Sequence, residues 1–383
     1  MGAWNDWTKV LIFASVISTF FACEAIKSGN ETGLLNSKII SDADFITRKP
    51  FLDVPQLGSV SDIGYLDRRS YPDNAIVVVG RNISLIYEKG VVRNFSKFSG
   101  SNALLYLNHS SVDSSGPIYF SLTSPAAVYD SLGTSIWSQE FNGQFMDMAA
   151  GDINGDSVVE FGIGYNEWRT GGFRDSNDVL STRGMLLLND VKGNTLWKKT
   201  TEEIWRLAFV DINDDGKEEL LSSDYNGNIT IRDENGDTVG SYPRRLGRNF
   251  SVCRWPDKNS PVRFLFSKNE KIWIADLQGN ILTSYKAPGA HEYEARGTPI
   301  KFEVDQNPYF AVIVKVRAAK KEAALFIYSP QGMLVYHEIL PVLYVALLAF
   351  QDGSSDIETL LVGGEDIVWQ YSRKKPQPLA QPH

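Results

Sequence analysis

The sequence predicts an all-β protein built from a repeated unit of short strands. Apolar strands that end in a turn glycine recur along the chain, and no helical periodicity is found after residue 27. Successive turn glycines are separated by 43, 60, 43, 43 and 53 residues, which is the pattern of a 43-residue repeat with two loop insertions. A second strand that ends in an aromatic residue usually follows each glycine. The turn glycines are Gly90, Gly133, Gly193, Gly236, Gly279 and Gly332.

Four short strands in each 43-residue repeat predict a β-propeller. The six glycine turns account for six blades that begin near Val60, and the apolar segments of 342–371 begin a seventh. The proline-rich end of the chain cannot supply a regular last strand. We therefore predict that an N-terminal segment within 37–48, around Lys38–Ile40 or Phe45–Thr47, completes the seventh blade by strand addition. The predicted fold is a seven-bladed propeller of four-stranded antiparallel blades, preceded by an N-terminal hydrophobic helix or signal segment.

The composition is that of a globular chain and limits its partners. With 383 residues, 43% of them hydrophobic and 22% charged, the chain is long enough for one large core or two domains. A net charge of −8 argues against nucleic acid or an anionic membrane surface as a partner, because both bind a basic face. The two cysteines, Cys23 and Cys253, exclude a disulfide framework.

The N-terminus carries a hydrophobic targeting segment. Lys9 precedes a run of 14 weakly polar and apolar residues, Val10–Cys23, which is shorter than the roughly 20 residues of a membrane-spanning helix. This length favours a signal peptide cleaved near Cys23–Ala25. A retained membrane anchor and a soluble helix are the alternatives. We expect an extracellular or cell-surface protein, either secreted or anchored by this segment. The predicted parts are a signal peptide or anchor at 1–26, a linker with the closing strand at 27–54, the propeller at 55–374 and a flexible tail at 375–383.

Six Asn-x-Ser/Thr sequons agree with an extracellular location. A chain rich in Asn and Ser produces several sequons by chance, and they are used only in a host that glycosylates proteins. The two alternatives are therefore that some of these sequons are glycosylated and that they occur by chance and are unused. The sequon asparagines are Asn30, Asn82, Asn94, Asn108, Asn228 and Asn249.

Two acidic loops have the spacing of a cation-binding loop. In Asp211–Glu219, oxygen-bearing side chains occupy positions 1, 3, 5 and 9, and Gly216 is at position 6. This spacing wraps oxygen ligands around a hard cation such as Ca²⁺. Asp152–Glu160 repeats it with Ser157 at position 6. The alternative is a turn whose side chains bond only to their own backbone. The candidate ligands are Asp152, Asn154, Asp156 and Glu160 in one loop and Asp211, Asn213, Asp215 and Glu219 in the other.

The segments Gly151–Gly162 and Val210–Glu219 resemble the FG-GAP/VCBS repeats of integrin-α-like propellers. The turn Asp-x-x-Gly-Asn-x-Leu-Trp that ends at Trp197 is also similar to the quinoprotein type of propeller repeat. The specific motifs cover only the third and fourth predicted blades. The resemblance implies Ca²⁺ binding by the side chains of both loops, with further ligands from the backbone oxygens of Val158 and Lys217. Both loops depart from the family by having glutamate instead of aspartate at position 9. The implied Ca²⁺ is structural.

An insertion in the third blade is the predicted partner-binding segment. The residues 168–183 replace the tight turn that the fourth blade has at 225–228. Long loops on a rigid scaffold are where binding residues concentrate. We expect this loop on the face opposite the acidic loops, and a tolerated insertion without function is the alternative. The candidate binding residues are Trp168, Arg169, Phe173, Arg174 and Arg183.

No catalytic motif is found in the sequence. The four histidines belong to no metal or triad motif, and His291–Arg296 is the best enzymatic candidate because acid, base and cation lie together there. The tryptophans at strand positions are predicted to pack between blades. These are Trp137, Trp197, Trp205, Trp273 and Trp369.

The expected function is that of a non-catalytic, extracellular, calcium-binding propeller. Its expected partner is another extracellular or membrane protein, or a glycan, in adhesion or cell-surface assembly. Membrane contact would occur only through the N-terminal segment. Two alternatives are a scaffold subunit of a membrane-tethered complex and a propeller enzyme of the quinoprotein or lyase kind, which would need a cofactor or a cluster of charges in the central channel.

Overall fold

The structure is a computed structural model, and it describes residues 46–374 apart from short gaps. The gaps are 66–74, 97–103, 107–118, 122–124, 130–134, 168–182, 244, 292–293, 305, 318–321, 343–344 and 352–355. The chain divides into two units, Met1–Lys38 and Ile39–His383, and all described residues belong to the second. The N-terminal hydrophobic segment and the C-terminal tail lie outside the described residues. Those residues contain no helix that is long and apolar enough to cross a membrane.

The described residues form seven four-stranded antiparallel sheets, which we number as blades along the chain. Blade 1 contains β2 (Val60–Tyr65), β3 (Ile76–Gly80), β4 (Ser84–Glu88) and β5 (Val91–Ser96). Blade 2 contains β6 (Leu104–Tyr106), β7 (Tyr119–Ser121), β8 (Ala126–Tyr129) and β9 (Ser135–Gln139). Blade 3 contains β10 (Gly143–Gly151), β11 (Glu160–Glu167), β12 (Arg183–Asn189) and β13 (Thr195–Thr201).

The remaining blades follow the same order. Blade 4 contains β14 (Arg206–Val210), β15 (Glu219–Ser223), β16 (Ile229–Arg232) and β17 (Thr238–Ser241). Blade 5 contains β18 (Ser251–Arg254), β19 (Val262–Lys268), β20 (Lys271–Ala275) and β21 (Ile281–Lys286). Blade 6 contains β22 (Ala295–Ile300), β23 (Tyr309–Arg317), β24 (Glu322–Tyr328) and β25 (Leu334–Leu340). Blade 7 contains β26 (Leu347–Phe350), β27 (Thr359–Gly363), β28 (Ile367–Arg373) and β1 (Ile46–Asp53).

The blades are arranged in a ring with their first strands at the centre. Strand β10 contacts β14, β22 contacts β26, and β2 contacts both β6 and β26. Blade 1 therefore contacts both blade 2 and blade 7, which closes the ring. The predicted all-β propeller with seven four-stranded antiparallel blades is confirmed.

An N-terminal strand completes blade 7, as predicted, and it begins in the second of the two predicted positions, Phe45–Thr47, and extends beyond it. Strand β1 pairs antiparallel with β28, from Ile46 opposite Arg373 to Asp53 opposite Ile367. The predicted range of 37–48 shares only its last three residues with this strand, and 37–45 lie outside the described residues. The side chains of Ile46 and Leu52 are buried, but the charged residues between them hide the strand in the hydrophobic pattern.

The middle strands of the blades are buried on both faces. Nearly every residue of β11, β12 and β24 is buried, whereas the outermost strand β13 alternates between exposed and half-buried positions. A sheet that is covered on both faces needs continuous apolar strands, and here the neighbouring blades cover both faces. The hydrophobic core therefore continues from blade to blade between the sheets.

The repeated turn glycines join neighbouring blades. Five of the six have a positive φ, and Gly133 lies outside the described residues. A Cβ atom at Gly193 would lie 2.6 Å from the ring of Trp137, and one at Gly236 would lie 2.8 Å from the ring of Trp197. The aromatic residue of one blade thus packs on the turn of the next blade. This agrees with the predicted packing of these two tryptophans between blades. Trp205 departs from it, because it lies before β14 and outside the strands.

Candidate functional site

Two acidic loops lie side by side at one end of the ring. The blade 3 loop, Asp152–Glu160, and the blade 4 loop, Asp211–Glu219, each connect the first strand of a blade to the second. We call this end the acidic face and define it by these loops together with the neighbouring turns Asp190–Asn194 and Asp233–Asp237. The second-to-third strand turns and the connections between blades lie at the other end, the opposite face.

Backbone hydrogen bonds hold the blade 3 loop closed around its side chains. The carboxylate of Asp152 accepts the N–H groups of Gly155 at 2.7 Å and Ser157 at 2.8 Å. The carboxylate of Glu160 accepts the N–H of Ile153 at 3.2 Å. The blade 4 loop repeats this pattern, with Asp211 accepting from Gly216 at 2.9 Å and Glu219 accepting from Ile212 at 3.0 Å.

The side chains at the predicted ligand positions converge in both loops. The amide nitrogen of Asn154 donates to Asp156 at 3.0 Å and to Glu160 at 3.2 Å. In the blade 4 loop, Asn213 makes the same bonds to Asp215 and Glu219. Carboxylate and amide oxygens are a donor set that fits Ca²⁺. In this structure, however, the amide nitrogens face the carboxylates, and the described residues contain no group of three or more His, Cys, Asp or Glu side chains arranged to hold a metal ion.

Burial raises the pKa values of the two glutamates, and the neighbouring carboxylates add to the shift. Burial, together with the smaller effects of Asp156, Asp152 and Asp190, raises the pKa of Glu160 to about 7. Burial also raises the pKa of Glu219, with a smaller contribution from neighbouring aspartates. Both glutamates therefore lie in an environment that disfavours their own negative charge. A bound cation would relieve that cost.

The two loops are bonded to each other. The Glu218 carboxylate accepts the N–H of Asp152 at 2.9 Å, and the Glu218 N–H donates to the carbonyl of Asp152 at 3.0 Å. The side chain of Lys217 lies over Gly155, and its ammonium group pairs with Glu234 at 2.9 Å. Beside the blade 4 loop is a cleft of about 300 Å³, whose lining includes Asn213, Asp215, Glu219, Asp233 and Glu234. Val158 is half-buried and Lys217 is exposed at the two predicted backbone-ligand positions.

A network of charged side chains joins the first strands of four blades at the centre of the ring. Arg206 of β14 donates to Glu294 at 2.6 Å, and Arg296 of β22 donates to Asp62 of β2 at 2.7 Å. Arg296 also lies 3.8 Å from Glu294, and Arg206 lies 3.8 Å from Asp147 of β10. We call these five residues the channel network. It links blades 1, 3, 4 and 6 through residues that are mostly far apart in sequence.

The buried Asp147 and the half-buried Glu294, which share Arg206, have pKa values shifted in opposite directions. Burial raises the pKa of Asp147, and the opposing effect of Arg206 does not cancel it. Burial also acts to raise the pKa of Glu294, but the charges of Arg206 and Arg296 hold it below its usual value. The difference follows from distance, because Glu294 accepts a direct hydrogen bond and Asp147 lies 3.8 Å from the guanidinium.

The sequence found only part of the channel network. Glu294 and Arg296 belong to the segment His291–Arg296 that was the best enzymatic candidate, and both are engaged in ion pairs with other blades. Asp62, Asp147 and Arg206 were missed because each is a single charge far from the others in sequence. The signal that could have found them is a charged residue in the first, otherwise apolar strand of a blade.

The predicted partner-binding segment is mostly outside the described residues. Trp168, Arg169, Phe173 and Arg174 lie outside the described residues, and Arg183 is an exposed residue at the start of β12 that donates to Thr200. Partner binding by this insertion, and its position on the face opposite the acidic loops, stay predictions.

The sequon asparagines have different surroundings. Asn82 is exposed, and Asn94 lies on β5. The side-chain amide of Asn228 donates to Asp224 at 2.6 Å, and that of Asn249 accepts from Trp205 at 2.9 Å. Asn30 and Asn108 lie outside the described residues. Glycosylation of these positions stays a prediction.

Comparisons with known proteins identify the fold. No protein-family model matches the sequence, and no curated protein matches it significantly. A crystal structure of BBS1N in complex with ARL6DN, soaked with lead, is 13% identical to the chain, with a TM-score of 0.54 over 88% of this chain and 98% of that one. The same complex soaked with mercury is 12% identical, with a TM-score of 0.53 over 86% and 96%. The Neurospora crassa Pan2 WD40 domain has 12% identity and a TM-score of 0.48 over 88% and 98%. At these identities the BBS1N structures support the propeller fold alone.

Proposed function

We propose that the chain is a non-catalytic scaffold that binds another protein through the faces of its propeller. The observation that carries this proposal is the channel network. Its two arginines and three acids are paired with one another across the ring, so they tie distant blades together. A rigid ring of this kind can hold loops and turns in fixed positions for a partner.

The comparison structures provide a precedent for a protein partner only in general terms. BBS1N is in complex with ARL6DN in its crystal structures. We carry over neither that partner nor its binding surface. For this chain, the proposed partner is an extracellular or membrane protein, or a glycan, which rests on the N-terminal segment and the sequons of the sequence.

Calcium binding by the two acidic loops is a second part of the proposal. The resemblance to FG-GAP/VCBS repeats and the raised pKa values of Glu160 and Glu219 support it. Bound Ca²⁺ would neutralise the crowded carboxylates and stiffen the loops. The residues that would hold it are Asp152, Asn154, Asp156, Val158 and Glu160 in the blade 3 loop and Asp211, Asn213, Asp215, Lys217 and Glu219 in the blade 4 loop.

Crosslinking followed by mass spectrometry in the native membrane or envelope tests the scaffold function. We expect lysine crosslinks between one face of the propeller and a second protein, and the same crosslinks after purification of that complex. Recovery of the chain with an absorbing cofactor and turnover, but with no crosslinked protein, would favour the enzyme alternative. The intact mass of the native protein decides whether residues 1–25 are removed, which separates a secreted protein from a membrane-tethered subunit.

A further inference from the structure

Trp205, Tyr225 and Arg248 form a stacked group on the opposite face, which we call the aromatic–arginine stack. Trp205 lies in the connection before β14, Tyr225 in the turn between β15 and β16, and Arg248 in the connection between β17 and β18. The guanidinium carbon of Arg248 lies 4.4 Å from the ring centre of Trp205 and 5.0 Å from that of Tyr225. The two rings meet edge to face, with their centres 5.9 Å apart. A cation in this position is attracted by both rings.

Hydrogen bonds from neighbouring residues fix the parts of the stack. The indole N–H of Trp205 donates to Asn249 at 2.9 Å, and the hydroxyl of Ser223 donates to the backbone carbonyl of Arg248 at 2.9 Å. The turn that carries Tyr225 is held by Asp224, which accepts from the backbone and side chain of Asn228. The stack is therefore preorganised, which lowers the entropy cost of binding a ligand.

Another arginine that stacks on a tryptophan, Arg48, binds a carboxylate and so indicates the kind of ligand that Arg248 could bind. Arg48 lies 4.2 Å from the ring centre of Trp369 and donates to the buried carboxylate of Glu338. Arg248 has the same stacked position. Within the part of the chain that the structure describes, its guanidinium has no acidic partner and no hydrogen-bond acceptor, although the chain carries a net charge of −8.

We propose that the aromatic–arginine stack binds an acidic segment of a protein partner. A carboxylate of that segment accepts the N–H groups of Arg248, whose planar fork matches two carboxylate oxygens. Adjacent apolar atoms of the segment lie on the ring of Tyr225, which is 56% exposed. This inference rests on the proposed scaffold function and adds the binding surface and the chemistry of the partner.

Selection from a random dodecapeptide library displayed on phage, with the immobilised full chain as the target, tests the inference. The protein is produced without glycosylation, because Asn228 and Asn249 next to the stack belong to sequons. Selected peptides are then measured by fluorescence anisotropy on the wild-type protein and on Arg248→Gln, Arg248→Lys and Tyr225→Ala. We expect peptides with Asp or Glu whose affinity falls about tenfold or more in Arg248→Gln, and to a similar extent in Arg248→Lys, because lysine lacks the planar fork.

Arg254→Gln is the matched control, because Arg254 is an exposed arginine on β18 that donates to the carbonyl of Ser260 and is not stacked on a ring. It should leave peptide binding unchanged. Replacing the peptide's acid by its amide should cost no further affinity in Arg248→Gln. Equal binding to wild type and Arg248→Gln, Arg248-dependent peptides without an acid, or no Arg248-dependent peptide at all would each overturn the inference. Crosslinks from another surface to a partner would leave the scaffold function standing without this site.

Discussion

The contact of Glu338 with Arg48 of β1 and Tyr371 of β28 lies where the ring closes, and we call it the seam. The seam and the two acidic loops both contain buried or half-buried glutamates, but the groups that surround these glutamates differ. At the seam, Glu338 accepts hydrogen bonds from Tyr336 at 2.7 Å and Tyr371 at 3.0 Å, and it pairs with Arg48 of the closing strand. In the loops, the donors that the described residues provide to Glu160 and Glu219 are backbone and amide N–H groups, and further carboxylates lie beside both glutamates. At the seam an arginine pairs with the glutamate itself, whereas Lys217, the cation of the blade 4 loop, pairs with Glu234 and not with Glu160 or Glu219.

The seam is a contact that is complete within the protein, whereas under the proposed calcium binding the loops would be completed by an ion. The arginine and two tyrosines at Glu338 come from β1, β25 and β28, so that one carboxylate joins blade 6 to both outer strands of blade 7. The loops hold their acids by local turns and by the bonds between Asp152 and Glu218. We therefore expect substitutions at the seam to act on stability in every buffer, and substitutions in the loops to act on stability mainly when Ca²⁺ is present.

The largest effect is expected from Glu338→Ala. The variant leaves Arg48 without its carboxylate and the hydroxyls of Tyr336 and Tyr371 without an acceptor. Breaking a buried ion pair typically costs 3–5 kcal/mol, and because Arg48 is partly exposed we expect a loss of about 3 kcal/mol in the free energy of unfolding. Urea denaturation at pH 7.5 measures it. The exposed control Glu202→Gln should change the value by less than about 0.5 kcal/mol. If Glu338→Ala destabilised the protein no more than Glu202→Gln does, Glu338 would have no role in closing the ring.

For each site, calcium should have the next largest effect, and only through the loops. Each occupied site adds about 2.7 kcal/mol to the free energy of unfolding when Ca²⁺ is present at 100 times its dissociation constant. Isothermal titration calorimetry and denaturation with and without a chelator measure binding and stabilisation. We expect Asp152→Asn and Asp211→Asn each to remove one site and the double variant to remove both.

The seam variant Glu338→Ala is the control for the calcium experiment. It should be less stable than the wild type but gain the same increment from Ca²⁺. An increment that survives in the double variant Asp152→Asn/Asp211→Asn would mean that the loops are turns closed by their own backbone, which is the alternative reading of the sequence.

A smaller, pH-dependent effect is expected at His337, which is next to Glu338 on β25. Burial lowers the pKa of His337, although the charge of Glu338 opposes the shift, and the ring stacks on Phe326 at 5.0 Å. A histidine with a lowered folded-state pKa stabilises the protein above its unfolded pKa of about 6.5, and that stability is lost as the pH falls through this value. The stability lost between pH 7.5 and pH 5.5 should therefore shrink in His337→Phe. An unchanged pH dependence in His337→Phe would show that His337 does not titrate in this range.

The features predicted well from the sequence are local in the chain. The turn glycines recur because an aromatic residue of the preceding blade packs against some of them, and the 1-3-5-9 spacing of the loops indicates that their side chains converge. Ring closure was predicted from the missing fourth strand of blade 7. Of the two predicted positions, Phe45–Thr47 overlaps the start of the closing strand, but the strand continues to Asp53, because its charged residues Arg48 and Lys49 conceal a strand with only two buried apolar side chains.

The features that were missed depend on the closure of the ring. The channel network brings Asp62, Asp147 and Arg206 together from blades that are far apart in sequence. The aromatic–arginine stack joins two connections and a turn, and Trp205 was predicted to pack between blades because it was taken for a residue at a strand position. The sequence pattern carries no information on the spatial distance between residues of different blades. They become neighbours only when the blades are placed around the ring.

The smallest expected effect distinguishes the two loops at position 6. Ser157 has a φ of +67° and Gly216 a φ of +86°, which only glycine adopts without strain. We expect Ser157→Gly to stabilise the protein by about 0.5 kcal/mol and Gly216→Ser to destabilise it by about 1 kcal/mol, although an added Cβ at Gly216 meets no atom within 4 Å. Urea denaturation in the presence of a chelator measures both. Effects of the same sign would show that backbone strain at position 6 is not what separates the loops. Opposite signs would show that Ser157 strains the backbone of the blade 3 loop at the position where Gly216 leaves the blade 4 loop unstrained.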